Sequence, residues 1–156
     1  MSRRNRRRRA KKAADQAVME KAVSNRFRFT ADVLKVDEGL GIVFGWGVIC
    51  KESGEDYFDV QGDNADEDGL VEASADFMEH SRVTKEMHRG GERGGGVVFA
   101  FPLTTDIAKA FGVVTETTGL MIGIRPDTEM LEKFKSGELR GFSIGGIRLE
   151  DEEVPE

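Results

Sequence analysis

The chain has 156 residues, 38% of them hydrophobic, which suits one compact core with tails. No run approaches the roughly 20 apolar residues needed to cross a bilayer, and the N-terminus lacks the apolar segment of a secretory signal. Cys50 is the only cysteine, which excludes an internal disulfide and a cysteine-built zinc cage and fits a reducing compartment.

The net charge of −6 is unevenly spread. Residues 1–12 carry eight of the 23 basic residues and no acidic one, so residues 13–156 hold the other 15 against 29 acidic and sum to −14. An acidic body on a basic arm does not describe a general nucleic-acid binder, although the arm alone could bind nucleic acid, an acidic partner or the body itself.

In chain order, residues 1–25 read as the arm, with helix formers from Ala10 to Ala22 after the repelling Arg6–Arg9 run. Arg26 to Val36 alternates, with Phe27, Phe29, Ala31 and Val33 apolar at period two, and predicts a strand. Gly39 and Gly41 supply a turn into Ile42–Cys50, whose largely apolar run predicts a central strand. Tyr57–Val60 reads as a short strand after a turn at Ser53–Gly54. A helix follows near 69–82, with Leu70, Ala73, Phe77 and Met78 on one stripe. Val83 to His88 reads as extended, and Gly90, Gly91, Gly94, Gly95 and Gly96 as a loop. Val97–Leu103 predicts a strand, Thr104–Phe111 a short helix and Gly119–Ile124 another strand. Pro126 and Asp127 open a helix with Met130, Leu131 and Phe134 inward, and Gly137 closes it. Leu139–Leu149 is the last strand, followed by an acidic tail over 150–156. The sum is an α+β domain over 26–149: a mostly antiparallel, barrel-like sheet with about three packed helices.

Three features invite chemistry. In Gly141-Phe142-Ser143-Ile144-Gly145-Gly146, period two places Ser143 opposite Phe142 and Ile144, and the glycines remove side chains that would block a substrate. Such a stretch is either a nucleophile's setting or a glycine-softened strand with an ordinary serine, and spacing alone favours the second. The only imidazoles, the side chains best matched to proton transfer near neutrality, are His80 and His88. His80 sits at a helix end, where capping or solvation is expected, while His88 precedes the glycine loop. The run Asn64–Gly69 has the look of a calcium loop, but its twelfth position is Ala75 instead of a bidentate Glu, so an acidic turn leading into a helix is favoured. The glycine and arginine run Arg89–Gly96 lacks the strand-to-helix context and the Lys-Ser/Thr end of a phosphate loop.

Taken in order, these elements resemble the phage prohead serine proteases, particularly the XkdF-like branch, from about Val43 to Gly146. The resemblance rests on Gly45-Trp46-Gly47-Val48, then Asp59-Val60-Gln61-Gly62-Asp63, Asp76-Phe77-Met78 and His88 after Met87. It continues through Gly96-Val97-Val98, Leu120-Met121-Ile122-Gly123-Ile124 and Lys135-Ser136-Gly137-Glu138-Leu139-Arg140 up to the Ser143 segment. It implies a herpesvirus-assemblin-like fold and a Ser/His endopeptidase without cofactor or metal. Ser143 would be the nucleophile and His88 its base. Such an enzyme would act in the host cytoplasm, inside the assembling prohead, on scaffold, capsid-protein extensions and itself, with self-association as a further expectation.

The sequence departs from the family at Leu120, where relatives often have Trp, and at Phe99-Ala100, where they often have an acidic or polar pair. It also ends without the further strand that carries an acidic residue in many relatives. The group that would orient His88 is left open among Glu150, Asp151 and Asp63, each more readily read as a solvated carboxylate. The alternative reading is a catalytically idle internal scaffold or head-assembly protein, and a third is nucleic-acid binding through the arginine-rich arm.

Overall fold

Alternation and apolar runs become strands much as the sequence predicts. The computed structural model describes residues 26–82 and 95–147. The elements are β1 (Arg26–Asp37), β2 (Ile42–Glu52), β3 (Glu55–Asp56), α1 (Glu67–His80), β4 (Gly95–Leu103), α2 (Thr105–Phe111), β5 (Thr117–Pro126), α3 (Thr128–Ser136) and β6 (Gly141–Ile147). Two compact units divide the chain: Phe29–Ile144, and a smaller one from residues 1–28 and 145–156. The described residues of the smaller unit are the ends of β1 and β6, and the core lies in Phe29–Ile144. The basic arm over 1–25, the extension from Val83 to His88, the glycines at 90, 91 and 94 and the acidic tail lie outside the described residues.

The fold is α+β, with three helices among the described residues and a curled antiparallel half-barrel sheet. Strand order is β4-β5-β2-β1-β6, with β3 paired onto β2. β2 is thus central, antiparallel to β1 on one side and to β5 on the other. Its apolar run is what two-sided burial requires: Val43 and Cys50 are sealed completely, and Ile42 and Val48 nearly so. Across it lie Leu120, Ile122 and Ile124 of β5, all buried. In β1 the predicted alternation buries Phe29 and Ala31, while Thr30 and Asp32 face out.

The helices close this core. Asp127 caps α3 by accepting from Met130 N at 2.8 Å, and Gly137, with φ +76°, ends it. Between these signals Met130 and Phe134 point inward and Leu131 is half-buried. Asp66 caps α1 by accepting from Gly69 N at 2.7 Å, so the acidic run that looked like a calcium loop is a helix start. This places α1 at 67–80 instead of 69–82. Its buried side chains are Leu70 and Ser74, with Phe77 and Met78 half-buried. Ala73, expected on the stripe, is exposed; Ser74 takes the inner position because its hydroxyl donates to Leu70 O at 2.6 Å.

The strand expected at Tyr57–Val60 does not form. A two-residue loop, Ser53-Gly54, with both φ values positive at +53° and +85°, joins β2 directly to the short β3. Beyond β3 the Asp59 carboxylate accepts from Gln61 N at 2.8 Å and Asp63 N at 2.9 Å, folding the chain into a turn. Local side-chain bonds of this kind compete with the strand ladder, and here they win.

Candidate functional site

Ser143 lies on β6, the last strand of the sheet beside β1. The two strands run antiparallel: Val33 N donates to Arg140 O at 2.8 Å, and Thr30 faces Ser143. Phe142 is buried at 6% exposure and meets Phe134 edge-on, with ring centroids 5.9 Å apart. Two glycines of β2 make room for this packing. A β-carbon at Gly45 would stand 2.7 Å from Asp32 O and 3.0 Å from the Phe142 ring, and one at Gly47 would run into Ile144. β6 is therefore seated by its inner side chains, and alternation turns the Ser143 hydroxyl to the opposite face, where the residue is half-buried.

On that face Thr30 Oγ1 points at Ser143 Oγ from 3.5 Å. The sequence pattern marks the inward residues of β1 and gives Thr30 no role. Its outward direction was legible from the alternation, but its partner was not, since the two strands meet across a separation of 113 residues.

His88, the expected base, lies outside the described residues, as do Glu150 and Asp151. Asp63 belongs to the Asp59 turn, its carbonyl accepting from Asp59 N at 2.9 Å. His80 is an exposed residue at the end of α1, its Nδ1 3.4 Å from the Asp76 carboxylate. This is the surface role its position suggested.

Cys50 is no rival nucleophile. Burial, reinforced by the charges of Glu67 and Asp66, pushes its thiol up to about 12. It stays protonated, with Sγ 3.8 Å from Asp66 O.

A second polar cluster, which sequence reading missed, gathers around Glu67 in the first turn of α1. Its Oε1 accepts from Thr105 N at 2.8 Å and Thr105 Oγ1 at 3.0 Å, and Lys51 Nζ lies 4.0 Å from Oε2. Burial alone would raise this carboxyl. The neighbouring Thr118 hydroxyl, the two Thr105 donors and Lys51 outweigh it and hold the group below the ordinary glutamate range. Thr118 Oγ1 is itself buried beside the carboxylate without a hydrogen bond of good geometry. Glu67 thus fastens α1 to the start of α2. A hollow of about 370 Å³ opens next to this corner, lined by Lys51, Thr105, Lys109, Val113, Glu116 and Thr118 among others; Ser143 is not part of its lining. Among the described residues no group of His, Cys, Asp and Glu could hold a metal ion, and no helix is long and apolar enough to cross a membrane.

No family model, curated protein or solved structure matches the chain.

Proposed function

We propose that the chain is a serine endopeptidase of phage prohead maturation, with Ser143 as nucleophile and His88 as general base. The observation that carries this is the setting of Ser143. Buried Phe142 anchors its strand, Gly141 lets β1 approach closely, and the Ser143 hydroxyl stands on the last described strand of the sheet opposite a second hydroxyl. The curled antiparallel sheet with its packed helices agrees with the barrel-like fold that the resemblance implies. The substrates would be scaffold and major capsid-protein extensions inside the assembling prohead, in the host cytoplasm.

In this mechanism His88 takes the Ser143 proton as Oγ attacks the scissile carbonyl. Backbone N–H groups hold the oxyanion, and His88 returns the proton to the leaving amine. Water then attacks the acyl-enzyme, again through His88, and frees Ser143.

Co-expression of the chain with its scaffold and capsid protein tests the proposal. The wild type is expected to shorten one or both, while Ser143→Ala and His88→Ala leave them full-length. Equal processing by the Ser143→Ala variant would overturn the assignment.

A second reading, an idle head-assembly protein, is favoured by one observation. Strand β4 stands at the other margin of the sheet and exposes Phe99 at 55% and Phe101 at 40%, next to Phe111 at 70%. Phe101 and Phe111 pack edge-on at 5.9 Å, so these rings form a patch suited to a partner surface. Under that reading scaffold would bind without being cut.

A further inference from the structure

We infer that Thr30 is a positioning residue for Ser143. The inference rests on the reading of Ser143 as nucleophile and adds a residue that neither motif nor spacing assigned. Thr30 and Ser143 face one another across β1 and β6, with the Thr30 hydroxyl directed at Ser143 Oγ from 3.5 Å. Both ends of this contact are held by their strands. Thr30 stands between the buried Phe29 and Ala31, and Ser143 follows the buried Phe142. A β-branched side chain on a strand has few χ1 choices, so the Thr30 Oγ1 oxygen is held to few positions.

A serine hydroxyl has one donor and two acceptor positions. A donor at Thr30 uses one acceptor position of Ser143 Oγ and none of its donor capacity. It thereby selects, among the serine rotamers, the one whose proton and remaining lone pair turn away from β1. Restricting a nucleophile to its reactive rotamer lowers the entropy lost on reaching the transition state. The separation is long for a resting O–H···O bond, and small movements of the exposed Thr30 and half-buried Ser143 hydroxyls would shorten it when substrate binds.

Phosphonylation of Ser143 by an alkyl fluorophosphonate tests this without knowledge of the natural substrate. Oγ attacks phosphorus, the O–P bond forms, the P–F bond breaks, and fluoride and the serine proton leave. Intact mass followed over time and pH gives the rate. Thr30→Val keeps the β-branched shape and removes the donor; it is expected to label about five- to tenfold more slowly with an unchanged melting temperature. Thr30→Ser restores the donor and should recover most of the rate.

A wild-type rate in Thr30→Val would overturn the role of Thr30 while leaving Ser143 as nucleophile. Equal slowing in Thr30→Val and Thr30→Ser would overturn it too, by showing that the methyl group matters and the hydroxyl does not. No labelling of wild-type Ser143 at any pH would remove the peptidase reading, and the inference with it.

Discussion

Strands β2 and β5, in the middle of the sheet, carry Val43, Val48, Cys50, Leu120, Ile122 and Ile124 at 6% exposure or less. Strand β6, at its margin, buries one side chain that deeply among its described residues, Phe142, and fills its other positions with glycine, serine and a half-buried isoleucine. A central strand is paired on both sides and packed on both faces, so any polar side chain there must find a partner within the protein. A marginal strand is released from that demand on its outer face. The difference places stability in the centre and, under the proposed function, reactivity at the edge; Phe142, buried on the marginal strand, belongs to both.

The largest effect is expected where the two regions join. Phe142→Ala removes the ring that meets Phe134 and faces Gly45, and should cost about 3–5 kcal/mol in denaturant unfolding. Because the same ring seats β6, Ser143 should lose reactivity even under conditions where the variant is folded. Full reactivity in a destabilised but folded variant would separate edge from centre more sharply than the packing allows.

The Glu67 corner should give a smaller, pH-dependent effect. Its carboxyl is held below the ordinary glutamate range in the folded chain, so its contribution is complete above that range and is lost as pH falls through the lowered value. Glu67→Gln should therefore cost about 1–2 kcal/mol near neutral pH, with the gap to wild type narrowing below about pH 4. Urea unfolding at several pH values reads this directly, and a gap that widens in acid would contradict it.

The smallest effect on stability belongs to Ser143→Ala, expected within about 0.5 kcal/mol of wild type. Its hydroxyl faces away from the core that Phe142 anchors. A loss of 2 kcal/mol or more would mean that the side chain serves the fold.

What was legible in the sequence follows the same division. The apolar run of β2, the alternation of β1, and the caps Asp127 and Gly137 are signals in which a residue's type and its local structure share one cause. The signal failed where short side chains had a choice. Asp59 took the following backbone amides into a turn where a strand was expected, and Ser74 satisfied its own hydroxyl and so could replace Ala73 on the inner face of α1. At the candidate site, period two correctly set Phe142 inward and turned Ser143 the other way. The neighbour Thr30 was hidden because β1 and β6 are brought together by the whole fold and by no local pattern. The expected base at His88 lies outside the described residues, so its place beside Ser143 stands as part of the proposal.

The most direct test of the central claim is intact-mass analysis of purified scaffold incubated with the wild-type chain and, in parallel, with Ser143→Ala. A serine endopeptidase yields defined scaffold fragments with the wild type and none with the variant. Scaffold that stays whole with both, while still binding the chain under conditions that permit head assembly, would contradict the enzyme and leave the assembly role.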